Sequence, residues 1–378
     1  MSILLLYISA FILCFCIVWY CIPRILLWAL TQRLIDKPNK RKVHTATASR
    51  LGGLCFFPGI FFTITICAII TSFFPEELKL PTTSFKGLLN IKILASLSAF
   101  FLMYIIGVID DIKTISYKKK LVYQIIASFL IIASGTWIKN MCGIFGLYEI
   151  PIYLGIPLTV LFIIFIINSI NLIDGIDGLS SGISIIITIA FIILFYIFDQ
   201  QLKLLLAFTM LGMLLSFIRY NLFGVNKMKY KIFMGDSGSL LIGTILSYFA
   251  ISGSQLGRNS NILSIQGTFI ISASAIVVPC LDTLRVVYHR IKCGQSMFHP
   301  DKNHIHHKLM AAGLSQRKTL VTILSLVIFF ILLNWLLFQL ININFILIVD
   351  TTIYIIIHKI ISKKIKTFRE SQNLPDKK

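Results

Sequence analysis

Apolar runs long enough to cross a bilayer recur along this chain, and they limit its fold more than any other feature. A hydrocarbon core of about 30 Å takes roughly 20 apolar residues in helical form. Such runs fall at about 3–22, 52–73, 91–109, 121–138, 153–170, 181–198, 202–218, 238–254, 265–283, 319–337 and 341–361. In lipid, backbone groups are satisfied only inside helices or closed barrels, and continuous runs of this length fit helices. The expected fold is all-α: a polytopic integral membrane protein of about 11 transmembrane helices. Only 13% of residues are charged, against about a quarter in soluble domains. No gap between runs has room for a separate soluble domain. Residues 1–362 read as one transmembrane helical domain and 363–378 as a basic tail. The first run lacks a preceding basic residue and is long for a signal core, so it reads as a retained helix. The eight cysteines show no paired spacing and read as small apolar fillers.

Lysine and arginine set the expected orientation. The odd-numbered connections and the C-terminal tail carry 29 of the 35 basic residues. The even-numbered connections and their margins hold only Lys79, Lys86, Lys92, Lys139, Lys203 and Arg258. This alternation puts the N-terminus outside and the C-terminus in the cytoplasm. It also accounts for a net charge of +20 without nucleic acid as a partner. Anionic membrane lipid and phosphate substrates are the expected partners of that charge.

Four polar clusters interrupt the apolar pattern, all on odd-numbered connections. They are GVIDDIKTISYKKK (107–120), NSINLIDGIDGLSSG (168–182), YKIFMGDSGSLLIG (230–243) and FHPDKNHIHHKLM (298–310). Carboxylates beside lipid are expensive and mark function. Carboxylate and amide oxygens suit hard cations such as Mg²⁺, while lysines supply point charges for phosphate. Acids, Mg²⁺ and lysines together are the components of phosphoryl transfer. Each cluster also has a plainer reading. Asp110 and Asp111 fit a solvated helix end balanced by lysines. Asn168, Asn171 and Asp174 step by three along one helical ridge, which fits a hydrated helix end. Asp236 or Ser237 fits an N-cap for the run beginning at 238. His299, Asp301, His304, His306 and His307 have a partial zinc spacing, but no second cluster completes it, and phosphate or sugar recognition suits them better. Asp350 and His358, alone in the last run, read as packing or interfacial groups.

In order and spacing, GVIDD, NxxNxxDGxDGL, FMGDSGS and PDKNHIHH resemble the polyprenyl-phosphate N-acetylhexosamine-1-phosphate transferase family. The nearest likeness is to its bacterial undecaprenyl-phosphate N-acetylglucosaminyl-1-phosphate transferase branch. DKPNKRKVH (36–44) and LGG (51–53) are similar to the family's first cytoplasmic loop, so the likeness runs from about 36 to 313. The resemblance implies an enzyme of the bacterial cytoplasmic membrane whose active site faces the cytoplasm. Its reaction is attack of undecaprenyl phosphate on the β-phosphorus of a UDP-N-acetylhexosamine, most simply UDP-GlcNAc. The products are a lipid-linked sugar diphosphate and UMP, and the reaction initiates a cell-surface polysaccharide. Mg²⁺ is the implied cofactor, with Mn²⁺ as a substitute. Asp236 and Asn171 match the metal-binding carboxylate and amide. Asp110 and Asp111 match the pair that positions or deprotonates the lipid phosphate, and Lys120 a phosphate-holding base. Asp174 and Asp177 match the nucleotide and catalytic pocket, and His304, His306 and His307 the histidine loop. Asn168 and Asp301 fall with substrate binding. Met297 stands where proline is frequent in the family, and His299 stands at a variable position. A homodimer is compatible with this reading.

Other readings carry less of the pattern. Another UDP-HexNAc donor, such as a FucNAc or GalNAc derivative, would use the same groups, and a MurNAc-pentapeptide donor fits the histidine segment less well. A secondary transporter would place its polar groups near the midplane within internal repeats, whereas these acids gather at one interface. A non-catalytic scaffold leaves the acid and histidine clusters without a use.

Overall fold

The computed structural model describes residues 3–32, 34, 48–73, 90–224, 231–257, 263–296, 301 and 303–371. The basic loop at 36–44, Met297, His299, Lys302 and the tail from 372 lie outside the described residues. In chain order the helices are α1 (Ile3–Thr31), α2 (Phe56–Phe73, led in by a 3₁₀ turn at Leu51–Cys55), α3 (Ile91–Ile112), α4 (Tyr117–Ala133), α5 (Ile152–Ile173) and α6 (Leu179–Ile197). They continue with α7 (Gln201–Phe223), α8 (Gly235–Ser254), α9 (Ile265–Lys292), α10 (Ile305–Ala311), α11 (Gln316–Leu337) and α12 (Ile343–Ser371). Among the described residues, ten helices are long and apolar enough to cross a membrane. Each of the eleven expected runs coincides with a helix. The shortest, α4, has 17 residues and ends where Gly135 turns the chain at positive φ. It begins beside Asp236 through Lys120, and α5 returns to the same place through Asn171, so α4 runs the depth of the bundle. The last helix reaches Ser371, inside the segment expected as a tail.

The centre of the bundle is α8, which is buried along nearly its whole length. Its sequence, GDSGSLLIGTILSYFAISGS, is rich in small residues. Small side chains let helix backbones approach closely, the usual solution where lipid removes the hydrophobic drive for association. A Cβ on Gly107 of α3 would collide with the backbone of Asp236 and Ser237, and one on Gly53 would collide with the backbone of Gly238. A Cβ on Gly243 would approach Ile167 Cα of α5 to 2.8 Å. The helices α3, α5, α6 and α9 surround α8.

Two small sheets mark the opposite ends. Strand β1 (Ala48–Ser49) pairs in parallel with β4 (Lys231–Ile232). The ladder continues as Gly52 and Gly53 donate to the carbonyls of Phe233 and Met234, both at 2.9 Å. This fastens the LGG turn to the start of α8. At the far end, β2 (Asn140–Ile144) and β3 (Leu147–Glu149) form an antiparallel hairpin.

Candidate active site

The site is organised around the first turn of α8. A helix start exposes backbone N–H groups with no intrahelical partner. Here Asp111, from the end of α3, accepts from Asp236 N–H at 2.8 Å and Ser237 N–H at 2.9 Å. The cap is therefore supplied by another helix. The expectation that Asp236 or Ser237 caps this helix is corrected: the helix begins at Gly235, and both residues lie within its first turn. Gly235 has φ of 70° and packs under the Asp111 carboxylate and the Arg50 carbonyl, which leaves no room for a side chain. That early turn moves the helix start upstream of the apolar run that marked it in the sequence.

The Asp236 side chain is thereby aimed into a ring of groups from other helices. Lys120 Nζ lies 2.5 Å from Asp236 Oδ2 and 2.8 Å from Asp110 Oδ2. Asn171 Nδ2 donates to Asp236 Oδ1 and to Ser239 Oγ, each at 2.8 Å. Asp110 Oδ1 accepts from Ile115 N–H at 2.6 Å. Adjacent on one helix, Asp110 and Asp111 point apart, one to the lysine and one to the helix start. Their mutual repulsion is relieved by separate partners.

Behind this ring stands a second layer. Asp177 pairs with Lys231, and Asn221 accepts from Gly178 N–H at 2.5 Å, fixing the glycine turn between α5 and α6. Burial pushes the Asp174 carboxyl up to about 7, and the charges of Asp236, Asp111 and Asp177 push it the same way. Asn168 donates to Gln124 Oε1 at 2.9 Å and to Ile164 O at 2.7 Å, so its amide is engaged between α4 and α5.

The histidine segment closes the cluster. It is a short helix, α10, where the sequence suggested a loop. His306 is 1% exposed and its ring lies against Gly175, where no Cβ would fit. Among the described residues neither of its ring nitrogens has a hydrogen-bond partner. Burial pushes its pKa down to about 3, helped by His307 and His304, so the ring is neutral at physiological pH. His307 packs on it with ring centroids 4.2 Å apart. His304 is turned away: its Nδ1 lies 2.8 Å from Asp282 Oδ2. Asp301 is held by Arg290 Nε at 2.9 Å and by Asn303 N–H at 3.0 Å. These contacts draw its carboxyl below the ordinary range against the opposing effect of burial. His304 and Asp301 thus hold the segment in place, while His306 faces the cluster.

Asp282 was not singled out from the sequence, yet it anchors this segment. Only 1% exposed, it meets Arg285 at 2.8 Å, His304, the Ile305 N–H at 3.1 Å and the Tyr354 hydroxyl at 3.2 Å. An aspartate at the end of an apolar run, followed by an arginine three residues on, was the available signal. His358, expected to be a packing group, is buried against Tyr354 with ring centroids 4.7 Å apart. Asp350 accepts from Asn334 at 2.8 Å deep in the bundle.

The oxygen donors that converge here are the Asp236 and Asp110 carboxylates, and the Asn171 amide meets them through its Nδ2. Among the described residues no three His, Cys, Asp or Glu side chains form a closed metal cage. Lysine between two carboxylates marks a place where a cation is stabilised.

The model of glycosyl transferase family 4 matches residues 93–254. An undecaprenyl-phosphate alpha-N-acetylglucosaminyl 1-phosphate transferase of Escherichia coli (strain K12) is 32% identical over 293 residues, covering 77% of this chain and 72% of that protein. The enzyme of the same description from Salmonella typhi is 31% identical over 298 residues, 78% of this chain and 74% of its own length. A probable undecaprenyl-phosphate N-acetylglucosaminyl 1-phosphate transferase of Bacillus subtilis (strain 168) is 29% identical over 290 residues, covering 76% and 73%.

Proposed function

Since this chain belongs to glycosyl transferase family 4 and is a phosphosugar transferase, we propose that it transfers N-acetylglucosamine 1-phosphate from UDP-GlcNAc to undecaprenyl phosphate. The products are undecaprenyl-diphosphate-GlcNAc and UMP. The observation that carries this reading is the convergence on Asp236 of Lys120, Asn171 and the Asp111-capped helix start, from three other helices. The descriptions of the relatives name the undecaprenyl-phosphate acceptor and the N-acetylglucosaminyl 1-phosphate group, and the UDP carrier of that group belongs to this proposal.

An oxygen of the lipid phosphate attacks the β-phosphorus of the donor. The bond from that phosphorus to the bridging oxygen breaks, and the oxygen leaves with UMP. A phosphomonoester has its second pKa near 6, so the acceptor is already mostly dianionic at neutral pH and proton removal is a small part of the task. Positioning and charge compensation are the larger part. Lys120 offsets the negative charge of Asp110 and Asp236 as phosphates approach. Lys231 does the same beside Asp177. Buried against Gly175, the neutral His306 supports the turn that carries Asp174 and Asp177.

The donor set fits Mg²⁺. That ion keeps waters and substrate phosphate oxygens and takes only one or two carboxylates from protein; Asp236 would hold it, and Asn171 would join once its amide turns to bring Oδ1 inward. When bound it supplies charge stabilisation for the phosphoryl oxygens. An apolar cavity of about 240 Å³ lies between α5, α8 and α9, lined by Leu158, Phe162, Phe165, Ile276 and Leu281 among others. It suits part of an isoprenoid chain. The lysine and arginine distribution supports a cytoplasmic face for the site.

The test uses purified protein in neutral detergent with undecaprenyl phosphate, Mg²⁺ and a panel of UDP-sugars. UDP-GlcNAc should yield labelled lipid, and both Asp236→Ala and chelation should abolish it. Turnover of another UDP-HexNAc in preference to UDP-GlcNAc would replace the donor assignment. Full activity in chelator would remove the metal from the proposal.

A further inference from the structure

The end of the bundle away from Asp236 holds two adjoining cavities. The larger, about 450 Å³, is bordered by Asn90, Lys92, Ser134, Gln201 and Lys203 among others. The smaller, about 260 Å³, is bordered by Trp137, Lys139, Ser252 and Gln255 among others. Gly135, Thr136 and Lys203 border both, so Lys203 stands between them. The larger falls within the size range of small-molecule sites.

Three lysines meet there in a part of the chain that is poor in them. Only six basic residues fall on this side, and the other three (Lys79, Lys86 and Arg258) lie outside the described residues. Lys203 donates to Gln200 Oε1 at 2.9 Å and lies 5.9 Å from the Phe195 ring centroid. Lys139 stands 5.5 Å over Trp137. Lys92 folds toward Gly135, its Nζ 4.0 Å from where a Cβ there would be. None of the three has an ion-pair partner among the described residues. One acid borders the larger cavity, Asp199, and its Oδ1 accepts from Gln201 Nε2 at 3.3 Å.

Two further observations point to a ligand. Helices α3 and α7 begin at this cavity, at Ile91 and Gln201, and helix starts carry partial positive charge. Gln201 is 8% exposed, yet its Oε1 has no hydrogen-bond partner among the described residues. Lysines without an ion-pair partner among the described residues, two helix starts and an unpartnered buried amide oxygen share one space. An anion with several acceptor oxygens would satisfy the cations, and a hydroxyl carried with it, on a glycerol headgroup or on hydrogen phosphate, would donate to Gln201 Oε1.

We infer that these cavities form a second ligand site, specific for a phosphate group and separate from the transfer site. Lysine recognises phosphate as a point charge, and the Asn90 amide N–H and Thr136 hydroxyl add neutral donors, while Ser134 and Gln255 are engaged by the backbone around the cavities. The site lies at the end of helices whose apolar lengths span lipid, with Trp137 beside it as at a membrane interface. The phosphate is therefore that of an anionic lipid headgroup or a free phosphate at the same surface, and the two sources separate by experiment.

The full-length protein in neutral detergent would be studied by native mass spectrometry with phosphatidylglycerol, with zwitterionic phosphatidylcholine, and with inorganic phosphate as competitor. Wild type should retain phosphatidylglycerol in preference to phosphatidylcholine. Lys92→Gln/Lys203→Gln should weaken that retention about 30-fold, the effect of removing two cationic contacts. Lys92→Arg/Lys203→Arg should keep it, and UMP release should be the same in all three proteins, which shows that each is folded. Lysine-dependent binding of inorganic phosphate without preference for phosphatidylglycerol would support the site and identify free phosphate as its ligand. Equal retention of phosphatidylglycerol by wild type and the glutamine variant, with no phosphate effect, would overturn it.

Discussion

Replacing Asp111 by asparagine separates a structural carboxylate from a chemical one. The native side chain accepts two backbone N–H bonds, at 2.8 and 2.9 Å, from the first turn of α8. Asparagine keeps one acceptor and turns an amide N–H toward the other donor. A hydrogen bond to a charged group contributes about 1.5–3 kcal/mol net, and a negative charge at a helix start about 0.3–1 kcal/mol. Asp111→Asn should therefore cost about 2–4 kcal/mol of stability. Asp110→Asn is the comparison. It weakens one partly exposed ion pair with Lys120, whose second partner Asp236 remains, and should cost less than about 1 kcal/mol. Thermal unfolding of both variants in detergent, with UMP release measured on the same samples, checks this. Asp111→Asn should lose stability and activity together, because the N–H it releases belongs to Asp236. An Asp111→Asn protein that melts with wild type yet is inactive would refute the capping role and make Asp111 a group acting on substrate.

Three further outcomes are expected. Gly107→Ala places a methyl group against the Asp236 and Ser237 backbone, which cannot rotate aside. It should cost at least about 3 kcal/mol, at or above the upper part of the usual overpacking range, read as a lower melting temperature or loss of folded protein. Asp282→Asn leaves Arg285 with a weakened buried partner and should cost about 3–5 kcal/mol. Thermal melts and UMP release measure it, and Asp282→Glu should restore neither fully, because the longer side chain cannot keep the His304 and Ile305 contacts together. His306 ionises near 3 when folded and near 6.5 when unfolded. Its lowered value means stability is complete above about 6.5 and is lost as pH falls, by about 2 kcal/mol between pH 7 and 5. Melting curves across that window should flatten in His306→Asn, and an unchanged slope would show that His306 is not the group responsible.

The eleven spans could be read from the sequence because apolar length is a local property, set residue by residue. So was the meeting of four polar clusters at one end, since helix parity fixes the side on which each connection falls. The rest depended on contacts between distant segments. Nothing near Asp111 shows that it caps a helix starting 124 positions later, at Gly235. The local rule gave that role to Asp236 and Ser237 because they precede the apolar run. Asp282 meets Arg285 three residues on in its own helix, but its other partners come from the start of α10 and from α12, and no spacing in the chain links those. Asp301 and His304 read as substrate groups because they share a motif with His306; that Arg290 and Asp282 hold them is visible only in the fold.

The most direct test is the fate of the donor's β-phosphorus. Purified protein would receive UDP-GlcNAc labelled with ³²P at that position, together with undecaprenyl phosphate and Mg²⁺. Phosphosugar transfer at the Asp236 cluster requires the label in the lipid product, with unlabelled UMP released in equal amount. Label recovered in UDP, with an unlabelled glycolipid, would mean that the sugar alone had moved and would contradict the chemistry assigned to this site.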